Sequence, residues 1–175
     1  MRFTLVDRIV ALQPGATITT VKALSLAEEY LADHFPRFPV MPGVLMLEAM
    51  TQTGAWLIRV TDDFAHSIVT LKQANNCKFK NFVAPGQVLS VTASILRHEE
   101  RETQLDVRGT LADSVAVSGR IVLERRNLAD DRPDLARTDD FIKRNLKETL
   151  ALLWSPTVTD SAARNGASSA APFAH

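Results

Sequence analysis

The segment from Gly43 to Ile58 limits the possible folds more than any other part of this chain. Read as a helix, its apolar residues Val44, Leu45, Met46, Leu47, Ala49, Met50, Ala55, Trp56, Leu57 and Ile58 cover nearly the whole circumference. A helix that is apolar all round must be buried, so the rest of the chain has to supply a wall around it. Its start is set by the loop from Ala32 to Pro42, where Pro36, Pro39 and Pro42 remove amide donors and fix φ. From Gly43 the run is long enough for about four turns. It ends at a polar break, Thr61-Asp62-Asp63.

The wall reads as strands. Phe3 to Leu12 is rich in Val, Leu and Ile, Pro14-Gly15 marks a turn, and Thr17 to Val21 is a β-branched run, so the opening is a hairpin. A short helix is expected over Leu26 to Leu31, with Ser25 as N-cap and Glu28 at the capping-box spacing. After the central helix, Ile68 to Leu71 and Cys77 to Phe79 belong to one extended segment broken at Asn75-Asn76, and Phe82 to Gly86 is a loop. Leu89, Val91, Ala93 and Ile95 then alternate with polar residues. Leu105, Val107, Gly109 and Leu111 do the same, followed by Val115, Val117, Gly119, Ile121 and Leu123. Period two over three successive segments predicts an antiparallel meander with one face on a core. The fold class that meets these constraints is α+β, a curved antiparallel sheet wrapped around one long helix.

Past Arg125 the character changes. Residues 1–126 form the core domain, the charged, Pro133-containing stretch 127–138 reads as a linker, and 139–154 as an amphipathic helix with Ile142, Leu146, Leu150 and Leu153 at helical spacing. Asp139-Asp140 suit the positive end of that helix, which is expected to pack on its own subunit, the alternative being a partner-binding device. Residues 155–175, mostly Ala, Ser and Thr, are expected to be disordered. The formal net charge of zero gives no whole-molecule field for nucleic acid or an acidic membrane. No apolar stretch reaches the roughly 18 residues of a membrane span, and the charged N-terminus does not read as a signal peptide. A cytoplasmic location is the resulting expectation. The single cysteine, Cys77, excludes an intrachain disulfide framework and reads as a structural thiol.

Three features in and beside the central stretch point to chemistry. His34 lies on the stiff loop among Phe35, Pro36, Phe38, Pro39 and Val40, which are expected to bury and immobilise its ring as a base. The other histidines, His66, His98 and His175, lie in a polar break, a charged turn and the tail. Glu48 is a lone carboxylate in an oily helix, where it should be protonated, paired or functional. Gln52, one turn on, shares its face; the plain structural alternative is a Glu–Gln hydrogen bond that only fixes the helix. Gly43 opens the helix with unsatisfied amides at the positive dipole end, and its missing Cβ lets a carbonyl approach. Base, acid and oxyanion donors together fit proton abstraction beside a carbonyl coupled to loss of a β-hydroxyl.

At these residues the chain resembles a known family. The run HFPRFPVMPGVLMLEAMTQ, from His34 to Gln52, looks like the active-site signature of the β-hydroxyacyl-acyl carrier protein dehydratases of fatty acid synthesis, of the FabZ type. The FabA type, with Asp in place of Glu48, is a more distant relative. The match runs from FTLVDR (Phe3 to Arg8) through CKFKNFVAPGQ (Cys77 to Gln87) to the final meander. The fourteen-residue step from His34 to Glu48 and the intervening PVMPG both agree.

The resemblance implies the hotdog fold and a homodimer with two active sites at its interface, often assembled as a trimer of dimers. His34 of one subunit would remove the α-proton, and Glu48 of the other would protonate the departing hydroxyl. Substrate contacts would fall to Gly43, whose N–H polarises the thioester carbonyl, and to Val44, Gln52, Phe79 and Lys80. The partner implied is acyl carrier protein, with the acyl chain on its phosphopantetheine; no metal, nucleotide or flavin is implied.

The sequence departs from the pattern in three places. Asp33 and Arg37 stand where the family usually has glycine. The family's short helix with a Pro-His pair ahead of Arg2 has no counterpart here. The helix and tail after Arg137 are additions, expected to cover that place. A hotdog thioesterase and a non-catalytic hotdog subunit of a heteromeric dehydratase stay open as other readings. The first has no need of the His–Glu step, and the second would be expected to lack one of the pair.

Overall fold

In the computed structural model, residues 4–35, 37–112 and 114–154 are described. A hairpin opens the chain, β1 (Arg8–Gln13) and β2 (Thr17–Ala23), joined through Gly15 at φ 75°. A one-turn helix α1 (Tyr30–Asp33) and the central helix α2 (Gly43–Thr61) follow. Four strands come next: β3 (Ile68–Phe79), β4 (Val88–His98), β5 (Glu102–Leu111) and β6 (Ser114–Arg126). They pair with the hairpin into one antiparallel sheet of order β1-β2-β4-β5-β6-β3. This is the hotdog arrangement.

The expected alternation is what buries α2. Ile18 on β2, Leu89, Val91 and Ala93 on β4, Leu105 and Val107 on β5, and Ile121 and Leu123 on β6 are all buried against Met46, Met50, Leu57 and Ile58 in one cluster. A Cβ on Gly54 would lie 2.7 Å from Leu105 Cδ1 and 3.1 Å from Leu123 Cδ1, so this glycine lets the helix sit tight on the sheet. The threonine hydroxyls that α2 and β2 bring to the core are paired. Thr53 donates to the Ala49 carbonyl at 2.8 Å and lies 2.7 Å from the Thr20 hydroxyl.

Several boundaries move. β1 begins at Arg8 rather than Phe3. The helix expected over Leu26 to Leu31 is instead the single turn Tyr30–Asp33, which also takes the first two residues of the expected loop. The capping box does not form, because the Glu28 carboxylate turns to Lys22 Nζ at 2.6 Å. Asn75-Asn76 does not break β3; Asn76 takes φ 53° and the register shifts there by a bulge.

The stretch read as a linker, 127–138, holds two 3-10 turns, Leu128–Asp130 and Pro133–Leu135, and the start of helix α3 (Ala136–Leu153), three residues earlier than expected. The cause is Asp139. Buried rather than facing solvent at the helix end, it accepts from the Ser67 hydroxyl and, at 2.9 Å each, from the amides of Leu128 and Ala129. Further along, Leu146, Leu150, Leu153 and Trp154 pack on the core cluster, and Lys147 lies 3.4 Å from Asp63 and over the Phe64 ring. The expected tail, 155–175, falls outside the described residues. Among the described residues, no helix is long and apolar enough to cross a membrane.

Burial alone would raise the Asp139 carboxyl, but the hydrogen bonds from Ser67, Ala129 and Leu128 win and hold it below its ordinary 3.8. A carboxyl lowered in the folded state stabilises the fold above its unfolded pKa and loses that contribution as pH falls through the folded value. Asp139→Asn is therefore expected to destabilise the protein by roughly 1.5–3 kcal/mol at pH 7. In urea melts run at several pH values, the gap from wild type should close below the ordinary carboxylate range. A gap unchanged at acid pH would show that the charge is not what matters.

Candidate active site

His34 stands at the C-terminal end of α1, in extended conformation, with its N–H donating to the Tyr30 carbonyl at 3.2 Å. The next residue, Phe35, takes φ 49°, and its ring centroid lies 4.4 Å from that of His34. The chain then dives inward. Val40 and Met41 are buried, and the Met41 amide donates to the Val83 carbonyl at 2.8 Å, tying the loop to the segment before β4. Pro42 turns it into α2, and its carbonyl takes up the amides of Leu45 and Met46. Gly43 and Val44, at the first two helical positions, are left without an intrahelical acceptor.

These pieces meet in one cleft of about 250 Å³. The loop contributes His34, Phe35, Val40 and Met41, and the first turn of α2 contributes Gly43 and Met46. The end of β3 and the residues after it supply Phe79, Lys80, Asn81 and Phe82. That last side is anchored on β6: the Lys80 amide donates to the Ala116 carbonyl at 2.8 Å, and the Asn81 side chain to the Val115 carbonyl at 2.9 Å. The Phe79 ring lies against Gly43, where a Cβ would meet two ring carbons at 3.4 Å. The cleft is thus apolar with few polar groups, of which the imidazole and the Lys80 ammonium can carry charge. That suits a chain-like substrate with one reactive head.

The remaining candidates lie elsewhere on α2. Glu48, Gln52 and Val44 do not line this cleft. Glu48 is half-buried, and its Oε1 accepts from Gln52 Nε2 at 2.9 Å, so the polar stripe expected on this face exists. Gln52 is oriented in turn: its Oε1 accepts from the Leu5 amide at 2.9 Å. That hydrogen bond decides which end of the side-chain amide faces Glu48.

Two expectations about burial fail within the single chain. Phe35 and Phe38 do not enclose His34; they are 61% and 57% exposed, and Phe38 makes an edge contact with Phe82 instead. The start of α2 is not buried either, since Val44 is 72% exposed. Full burial of the helix begins at Met46, while in the first turn Gly43 and Leu45 are half-buried and Val44 is exposed. Met41, Met46, Asn81 and Phe82 were not singled out from sequence as cleft residues. The signal for Phe82 was its place three residues after Phe79 in the same run.

Comparison with known proteins gives a consistent picture. The family model described as a FabA-like domain matches residues 1–125, ending before α3. The chain is 36% identical over 119 residues to the 3-hydroxyacyl-[acyl-carrier-protein] dehydratase FabZ of Ruminiclostridium cellulolyticum, covering 68% of this chain and 84% of that protein. To the FabZ of Chloroflexus aggregans it is 37% identical over 120 residues, covering 69% and 83%. Among solved structures, it resembles in fold the dehydratase heterocomplex ApeI:P from Xenorhabdus doucetiae. The TM-score is 0.62 at 16% identity, over 76% of this chain and 90% of that one. The E. coli PaaI protein of a phenylacetic acid degradation operon gives a TM-score of 0.52 at 10% identity, over 67% and 78%.

Proposed function

The chain belongs to the FabA-like family and within it to the FabZ type, and from that membership we propose that it removes water from 3-hydroxyacyl thioesters of acyl carrier protein in fatty acid synthesis. The product is the trans-2-enoyl thioester. The acyl group arrives on the carrier's phosphopantetheine, which is part of the substrate.

His34 takes the α-proton as general base. Electron density moves toward the thioester carbonyl, which the Gly43 amide polarises from the start of α2. Glu48 of the partner subunit gives a proton to the β-hydroxyl, the C–O bond breaks, and water leaves as the double bond forms. Gln52 holds the Glu48 carboxyl in place through their 2.9 Å hydrogen bond. Phe79 and the other apolar lining residues receive the acyl chain, and Lys80 lies toward the mouth.

One observation carries the assignment of this work to two subunits. His34 and Gly43 share a cleft that Glu48 does not enter. Two others favour it. The exposed apolar residues Phe35, Phe38, Val44, Phe79 and Phe82 gather at and around that cleft. β3 also ends the sheet, twelve mostly exposed residues with one edge unpaired within the chain. Such an edge needs a cover, and a second copy about a two-fold axis supplies one.

The direct test is hydration of crotonyl and longer 2-enoyl thioesters by purified protein, followed by loss of enoyl absorbance. Wild type is expected to interconvert the enoyl and 3-hydroxyacyl forms. No hydration at any chain length would overturn the dehydratase reading.

A further inference from the structure

β2 turns Ile18, Thr20 and Lys22 toward the core. Lys22 is 6% exposed, and an ammonium so placed requires charged partners. It has two, Glu28 Oε1 at 2.6 Å and Asp7 Oδ1 at 3.3 Å. Asp7, just ahead of β1, is tied to β2, since its N–H donates to the Val21 carbonyl at 2.9 Å and its other carboxylate oxygen accepts from the Ala23 amide at 2.7 Å. Glu28 lies instead in the segment 25–33, where Leu31 alone is buried.

From Glu28 the backbone reaches His34 through two linked turns. The Leu31 amide donates to the Glu28 carbonyl at 3.0 Å, and the His34 amide to the Tyr30 carbonyl at 3.2 Å. We propose that Lys22 and Glu28 form a clamp that fixes the His34 loop to the sheet, which makes both positioning residues for the dehydration proposed above, the reading on which this inference rests. Neither lines the cleft. Lys22 acts through Glu28, and Glu28 through the single turn of α1.

Two further facts favour the clamp over a merely local role for Glu28. Its spacing from Ser25 suits a capping box, yet its carboxylate leaves the helix start and crosses to β2. Burial by itself lowers the Lys22 ammonium, but the hydrogen bond to Glu28 and the charge of Asp7 raise it above its ordinary 10.5, so the clamp stays charged at neutral pH. Leu31 is the one fully buried residue of the segment and Tyr30 packs partly on the core. With so little buried, the segment is expected to loosen locally when the ion pair is lost, while the large core keeps the sheet folded.

The test uses the full chain with Glu28→Ala and Glu28→Gln. In Glu28→Ala, kcat for enoyl hydration should fall roughly 10- to 100-fold, as expected for a base displaced by about 1 Å, with KM within about twofold of wild type. Glu28→Gln keeps an oxygen for the Lys22 ammonium and should recover most of the rate. Amide hydrogen exchange is read alongside, independently of activity. Residues 30–34 should exchange faster in Glu28→Ala, with β4 and β5 unchanged. Unaltered exchange at 30–34, or acceleration spread over the whole sheet, would overturn the clamp. An inactive wild type would end the dehydratase reading, and the exchange measurement would still decide the clamp.

Discussion

His34→Ala lowers the rate of enoyl thioester hydration by roughly 10²–10⁴, the range for loss of a general acid–base group, and leaves the protein folded. The two halves of this expectation rest on separate observations. His34 lines the cleft beside Gly43, which on the proposed reading brings its ring within reach of a thioester whose carbonyl meets the first turn of α2. Its contribution to the fold, in contrast, is made through its backbone. The N–H bonded to the Tyr30 carbonyl persists in alanine, and the ring contacts an exposed Phe35 rather than the core. The change in stability should therefore stay near ±0.5 kcal/mol, as for substitutions away from packed sites. Activity within about threefold of wild type, with the same melting temperature, would remove His34 from the mechanism.

The same contrast shows what a sequence can disclose here. The sheet was legible because its alternation has a physical cause: Leu89, Val91 and Ala93, or Leu105 and Val107, face α2 and are buried while their neighbours are not. Helix α2 was legible because the prolines of the loop before it exclude regular structure up to Pro42 and the apolar residues from Gly43 to Ile58 cover nearly the whole circumference.

What stayed hidden depended on contacts distant in sequence. Nothing local to Glu28 says that its carboxylate prefers a lysine on β2 to its own helix start. Nothing local to Asp139 says that it will be buried beneath Ser67 and two amides, lengthening α3 and ordering the expected linker. The exposure of Phe35, Phe38 and Val44 was misread for a related reason. Hydrophobicity in sequence predicts burial but not by which chain. On the reading above, a second subunit covers them.

Glu48→Gln should lose roughly 10²–10⁴ in rate, and it does so with little change of shape. The amide retains an oxygen to accept from Gln52 Nε2, as Glu48 Oε1 does at 2.9 Å, but it has no acidic proton for the departing hydroxyl. The stronger result comes from mixing this variant with His34→Ala after unfolding and refolding them together.

If His34 and Glu48 of one chain served the same site, every site in the mixture would carry a defect and activity would stay at the level of the single variants. If each site takes His34 from one subunit and Glu48 from the other, a mixed dimer has one site with both defects and one site with neither. Random pairing makes half the dimers mixed, so the mixture should recover about a quarter of wild-type activity, as a two-fold symmetric interface requires. Recovery should grow with the fraction of mixed dimers and vanish when the two variants are assayed without exchange. A refolded mixture no more active than its components would place both groups in one chain and require the His34 loop to carry its imidazole toward Glu48, out of the cleft it lines here.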